Sequence, residues 1–229
     1  MTESGFPPPP DGRAARWAGQ RERRRQEFVD AGLRAIARYG PEASTEQIAD
    51  AAGVARTRVY KHFTDAADLQ QAIARRAAEM IAAEFEPLAT AAGTTRELVR
   101  SAIGTHIEWV VRHRALYQYL VRHSSTGWGD AVADVKTVIA GQLAVRLDYY
   151  LGVFGADRRI GETLVHGLVG FIEASTARWL DEPRELGRGE LGELLARSVW
   201  AVLDDLLRAG GIALNPDSPL SDPDFRRLR

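Results

Sequence analysis

Residues 44–69 read STEQIADAAGVARTRVYKHFTDAADL, and this stretch decides the fold. Ser44 or Thr45 stands where a helix cap is needed, because a hydroxyl there accepts from a backbone N–H that the helix leaves unpaired; the capped helix runs to Ala52. Gly53 then turns the chain in a left-handed conformation that a Cβ would penalise, and a second short helix follows over roughly Ala55–His62. Two helices of about two turns each bury too little apolar surface to stand alone, so they need a third packing partner. The preceding periodic segment, Arg21–Tyr39, offers Phe28, Leu33, Ile36 and Ala37, while the pair offers Ile48, Ala49, Ala52, Val54, Val59 and Phe63. The three together read as a helix-turn-helix unit.

The face left over carries the chemistry. At about 100° per residue, Val59 and Phe63 point to the core, whereas Thr57, Arg58 and Lys61 point away, with Arg56 and Tyr60 on the flank. Such a face suits the major groove of double-stranded DNA. Arg56 and Arg58 can each donate two bonds to a guanine edge, Thr57 can touch a thymine methyl or a phosphate, and Tyr60 and Lys61 can reach phosphate. Thr45 can place its hydroxyl on a phosphate. The alternative is a solvated charged face, which the spacing inside this motif disfavours.

Composition hides where that face belongs. The chain of 229 residues carries 30 Lys and Arg against 31 Asp and Glu, a net charge of −1 that advertises no polyanionic partner. Divided along the chain, residues 13–62 hold 11 basic against 6 acidic residues, whereas residues 63–229 hold 19 against 23. The basic excess therefore gathers on the first helix and the second helix of the pair, which we call the reader helix. Arg21, Arg23, Arg24 and Arg25 lie at the head of the first helix, where they either approach a phosphate backbone or minor groove or merely solvate the helix start.

Several function classes lose their support. A sequence that is 45% hydrophobic and 27% charged has the balance of a globular protein, and the absence of cysteine excludes disulfides, thiolate nucleophiles and Cys-based metal centres. G-x-S-x-G, H-E-x-x-H and G-x-x-x-x-G-K-[ST] do not occur, so neither an enzyme nor a cofactor is expected. The first residues lack the basic and apolar regions of a secretory signal, and no run of 18 apolar residues occurs. A cytoplasmic protein without membrane contact is expected.

Proline placement extends the helical reading to the whole chain. Seven of the ten prolines fall in Pro7–Pro10 and at Pro216, Pro219 and Pro223, leaving Pro41, Pro87 and Pro183 across the middle. Between them apolar residues recur at three and four, as in Val99, Ile103, Ile107 and Val110, which predicts an all-α protein of about nine helices. After the first three, helices are expected over about 68–85, 95–112, 115–122, 130–154, 157–180 and 190–209. The expected organisation is a flexible arm over 1–20, the helix-turn-helix domain over 21–66, a larger helical domain over 67–211 and a loose tail over 212–229.

The larger domain carries polar and aromatic groups on inward stripes. His106 shares a face with Val99, Ile103, Ile107 and Val110, with Trp109 and His113 at its edges. A buried imidazole needs a partner, so His106 is either a satisfied core histidine or part of a cavity wall. No third ligand accompanies His106 and His113 at useful spacing, and no metal site is expected. Tyr117, Tyr119, Tyr149 and Tyr150 are candidates for core or wall, as are Phe154, Phe171 and Trp179. Together they suggest a mostly apolar pocket with His106 and Glu173 as its polar fixers, suited to a small hydrophobic molecule. Residues 157–180 are apolar on more than one side, with Leu164, Leu168 and Phe171 on one stripe and Val165, Val169 and Ile172 on the next. Residues 190–209 carry a broad stripe that includes Leu194, Val199, Val202 and Leu206. These two helices either thicken a monomeric core or pair with their copies as a four-helix homodimer interface, where Gly161, Gly167 and Gly170 permit close crossing.

The run Thr45-x-x-Ile48-Ala49-x-x-Ala52-Gly53-Val54, followed by Val59-Tyr60-x-His62-Phe63 and Leu69, resembles the signature of the tetracycline-repressor (TetR) family of bacterial transcriptional regulators, over about Gln26–Leu69. The resemblance implies a homodimer on a palindromic operator, an N-terminal DNA-binding domain and a larger ligand-binding and dimerisation domain. It assigns DNA contacts to Arg56, Thr57, Arg58, Tyr60, Lys61 and His62. Two positions depart from the pattern: Thr57 stands where the family often has Gly, and Ala66 stands where a Lys usually follows the Phe by three, which removes a phosphate contact and leaves Arg56 or Lys61 to compensate. Gly167-Leu168-Val169-Gly170-Phe171 with Ala177-Arg178-Trp179-Leu180 is similar to family members that answer fatty-acyl ligands. The expected function is a repressor released by a small hydrophobic ligand. The alternative is a helical small-molecule-binding dimer that has lost DNA binding, with Ala66 as its support.

Overall fold

Helix α1 spans Gly12–Tyr39 and stops at Gly40, whose φ of +83° a side chain would resist. Its start lies before Arg21 because no proline intervenes after Pro10, so residues 12–20 are helical where an unstructured arm was expected. Helix α2, Thr45–Ala51, is capped by Ser44: the Ser44 hydroxyl accepts from the Gln47 N–H at 3.2 Å, and the Gln47 side chain accepts from the Ser44 N–H at 2.8 Å. Gly53 turns the chain at φ +67°, as the sequence requires. The reader helix α3 is shorter than expected, Arg56–Val59. From there the bonds tighten: Lys61 N–H donates to the Arg58 carbonyl at 3.3 Å and His62 N–H to that of Val59 at 2.9 Å, which carries Phe63 back into the core.

The structure, a computed structural model, describes residues 12–89, 92–124, 137, 140–141, 143–145, 147–149, 151–152, 158–182, 186–219 and 226–227. Tyr150 and Phe154, candidates for the cavity wall, lie outside these residues. The chain divides into two units, Met1–Ile73 and Ala74–Arg229, and α4, Ala66–Ala89, belongs to both.

The first unit is held by Phe28, Val29, Ala35 and Ile36 of α1 against Ile48 and Ala49 of α2. Val59, Phe63, Leu69 and Ile73 complete this core. Ala37 faces solvent instead, because it stands about 100° round α1 from Ile36, on the outer side. Gly32 allows a close approach: a Cβ there would lie 2.6 Å from Cδ1 of Ile73.

The second unit consists of the rest of α4 with α5 (Thr95–Arg112), α6 (Arg114–Ser124), α7 (helical residues between 137 and 152), α8 (Gly161–Asp181) and α9 (Arg188–Ala209). Thr94 and Glu97 form a capping box on α5, with the Glu97 carboxylate accepting from the Thr94 N–H at 2.9 Å. Ile103 and Ile107 of α5 pack on Leu191, Leu195 and Val199 of α9 in one core of this unit. Within the stretch expected as a loose tail, the described residues 212–219 and 226–227 are structured. Ile212–Ala213 pairs antiparallel with Arg226–Arg227, and Ile212 and Leu214 are buried with Leu151 and Leu207. Asp217 accepts from Arg96 at 2.6 Å, and the Pro216 carbonyl accepts from the Arg96 N–H at 3.0 Å. Apart from this short strand pair the described chain is helical, and no described helix is long and apolar enough to cross a membrane.

Candidate functional site

The outer side of α3 presents Arg56, Thr57, Arg58 and, just past it, Lys61 to solvent, while Val59 and Phe63 are fully buried behind them. The face read from a helical wheel is therefore formed. Among the described residues neither Arg58 nor Lys61 has a carboxylate partner, so both cations are available. Arg56 bends over Tyr60: its guanidinium donates to the Tyr60 hydroxyl at 3.3 Å and stands 5.5 Å from the ring centroid. That bond, and a second from Thr45, pull the Tyr60 hydroxyl below its ordinary pKa. Thr45, Arg56 and Tyr60 thus form one polar group at the foot of the reader helix. His62 is placed differently. Its ring packs on Phe28, with centroids 5.4 Å apart, and its Nδ1 is buried without a partner. Burial, then the charges of Arg21, Arg24, Arg58 and Arg25, lower its pKa.

Behind the reader helix Arg25 organises the unit. One guanidinium nitrogen donates to the His62 carbonyl at 2.5 Å and to Asp68 at 3.1 Å, and the other donates to Asp68 at 2.7 Å. The guanidinium also lies 4.2 Å over the Phe63 ring. Asp68 accepts in addition from the Thr64 N–H at 3.0 Å, and this set, with Arg25 foremost, holds its pKa at about 2. Arg25 is therefore a strut joining α1, the end of the reader segment and the start of α4 rather than one of the cations offered outward. Its partner is 43 residues away, a distance at which local sequence patterns carry no signal.

The second unit encloses a cavity of about 110 Å³. Ala77, Ile81 and Phe85 of α4 form one wall, a stripe at four-residue spacing that the sequence displays but that was not assigned to a site. Helix α5 contributes Ile103, His106, Trp109 and Val110, α6 contributes Tyr117 and Leu120, and α8 contributes Val169, Ile172 and Glu173. Of the residues expected in the wall, His106, Trp109, Tyr117 and Glu173 meet here. Three do not: Tyr149 is 65% and Phe171 43% exposed, and His113 stacks on the Trp109 ring at 5.0 Å without lining the cavity. A helix apolar on several sides does not reveal which side turns inward.

Among the described residues, two nitrogens in this wall lack partners. His106 Nε2 and the Trp109 indole N–H are buried with no hydrogen bond, so His106 is not a satisfied core histidine. Burial alone lowers its pKa to about 4, leaving the imidazole neutral at pH 7. Burial, then the charge of Glu173, raises the pKa of the Tyr117 hydroxyl. Among the described residues no three His, Asp or Glu side chains gather so as to hold a metal ion. On the outer side of the unit, α8 leaves Phe171 exposed, and α9 leaves Leu194 and Val202 exposed.

Comparison with known proteins places this arrangement. The sequence profile of bacterial regulatory proteins, tetR family, matches residues 28–73. An uncharacterized HTH-type transcriptional regulator of Mycobacterium tuberculosis is 31% identical over 202 residues, 88% of this chain and 86% of the relative. A tetR-family transcriptional regulator from Streptomyces coelicolor shares the fold with a TM-score of 0.66 and 24% identity, over 82% of this chain and 83% of that one. The regulator FadR from Bacillus subtilis, solved in complex with stearoyl-CoA, shares it with a TM-score of 0.59 and 18% identity, over 76% of this chain and 96% of that one.

Proposed function

As the chain belongs to the tetR family of bacterial regulatory proteins, we propose that it is a cytoplasmic repressor that holds a palindromic operator as a homodimer and is released by a small hydrophobic ligand. The observation that carries this reading is the exposed face of α3, where Arg58 and Lys61 stand without carboxylate partners among the described residues, above a buried Val59 and Phe63. Arg58 reads a guanine edge, Thr57 a thymine methyl, and Lys61, with the Thr45–Arg56–Tyr60 group, holds phosphates. His62, turned onto Phe28, contributes by seating the reader segment.

The exposed Phe171, Leu194 and Val202 support a dimer through α8 and α9, since apolar side chains of this size are disfavoured in water. The apolar cavity supports a hydrophobic ligand, and the FadR complex with stearoyl-CoA supports an acyl one. Helix α4 gives Leu69 and Ile73 to the core of the first unit and Ala77, Ile81 and Phe85 to the cavity wall. A ligand that displaces α4 thereby shifts the population of DNA-competent reader helices.

The test is binding to DNA from upstream of the protein's own gene. Affinity is expected to fall steeply with salt, and Arg58→Ala or Lys61→Ala to weaken it by about 1–3 kcal/mol with unchanged helical content. Absent or salt-insensitive binding sinks the reading. Sedimentation should give a dimer that Phe171→Glu converts to monomer.

A further inference from the structure

We infer that the cavity of the second unit selects a ligand that is uncharged where it is enclosed and carries a carbonyl or comparable group to pair with His106 Nε2 and the Trp109 indole N–H. The inference rests on reading the cavity as a ligand site and adds the chemistry of what enters it.

The two nitrogens stand one helical turn apart on α5, and both are buried in the cavity wall without a hydrogen bond. A purely hydrocarbon ligand would leave them unpaired and would seal them further from water. A neutral imidazole presents Nε2 either as donor, to a carbonyl, or as acceptor, from a hydroxyl, whereas the indole is a donor only. The shared requirement is an acceptor oxygen. A free carboxylate has such oxygens but brings a charge. The described walls contain no Lys or Arg, and the ionisable groups beside His106, Tyr117 of α6 and Glu173 of α8, are both acids. Nor does His106 provide the missing positive charge near pH 7, because burial holds its pKa at about 4. Enclosing a carboxylate there would strip its hydration without a counter-charge.

The experiment titrates the full chain with decane, methyl decanoate and decanoate at pH 7.5, following tryptophan fluorescence and calorimetry. Methyl decanoate is expected to bind roughly tenfold more tightly than decanoate, and more tightly than decane. Trp109→Phe keeps the aromatic body and removes only the N–H; it should erase much of the preference for ester over decane while decane still binds, and His106→Leu should do the same. Equal binding of decanoate and the ester overturns the exclusion of charge. An ester preference unchanged in both variants overturns the pairing. If decane binds and the ester has no advantage, the ligand-site reading stands and this inference alone fails; if none of the three binds, both fail.

Discussion

In the unit ending at Ile73, Arg25 is held by several partners at once: Asp68, the His62 carbonyl and the Phe63 ring surround one guanidinium. In the unit starting at Ala74, His106 and Trp109 line an apolar cavity with buried nitrogens that have no partner. Several bonds converging on one group fix its geometry, which suits a helix proposed to present Arg58 and Lys61 at a set position. Unmet hydrogen bonds leave interaction free energy for something that arrives later. On the proposed reading, the contrast separates a DNA-binding platform from a ligand receptor within one chain.

Acid should break the second unit before the strut of the first. The folded-state pKa of His106, about 4, lies below its ordinary 6.5. Between these values the unfolded chain binds more protons, so stability is complete above pH 6.5 and falls as pH drops, by about 3 kcal/mol at pH 4. His113, in the same unit, is shifted in the same direction and adds to the trend. Urea unfolding at pH 7.5 and pH 5 should show a stability loss that is smaller in His106→Leu. If wild type and variant lose stability equally over this range, His106 is not held neutral by burial.

The strut answers to a lower window. The pKa of Asp68, about 2 against an ordinary 3.8, means that the pair with Arg25 contributes fully above pH 4 and is lost only as pH falls towards 2. The two side chains are 22% and 27% exposed, so solvent screening reduces the contribution to about 1–2 kcal/mol. Arg25→Ala should cost that amount at pH 7 by thermal or urea unfolding. Arg25→Lys should recover little, since a point charge cannot make the two-pronged contact with Asp68 or lie flat on Phe63. Full recovery with Lys would reduce the strut to a simple charge pair.

The same contrast explains how far the sequence was legible. The cap, the turn and the reader face are set by residues within one short segment, from Ser44 to Phe63, and helical periodicity alone separates Val59 from Arg58. Arg25 and Asp68 meet across 43 residues, and Arg96 and Asp217 across 121, so no local pattern marks either pair. The start of the tail is hard to read for a related reason: its Pro, Asp and Ser content suggests a loose chain, but Ile212 and Leu214 alternate and bury together. In the cavity wall, periodicity puts His106 on the α5 stripe that lines it. Phe171 and Tyr149 are exposed instead: α8 carries apolar residues on several sides, and neither there nor around Tyr149 on α7 does periodicity say which side packing covers.

One substitution made in each unit gives the smallest and cleanest comparison. Gly32 and Gly104 both lie inside helices, where alanine is favoured over glycine by about 1 kcal/mol because the unfolded chain has less freedom to lose. At Gly104 an added Cβ meets nothing within 4 Å, so Gly104→Ala should gain up to about 1 kcal/mol. At Gly32 the Cβ falls 2.6 Å from Cδ1 and 3.1 Å from Cγ1 of Ile73, a side chain buried completely in the first core. Because Ile73 is fully buried, turning it aside presses on its neighbours, and overpacking of this kind costs about 1–3 kcal/mol, which exceeds the helical gain. Gly32→Ala should therefore lose about 1 kcal/mol net. Melting temperatures of the two variants should move in opposite directions. A rise in both would mean that the core around Ile73 yields as readily as the helix carrying His106, and the distinction between a close-packed platform and an adaptable receptor would no longer hold.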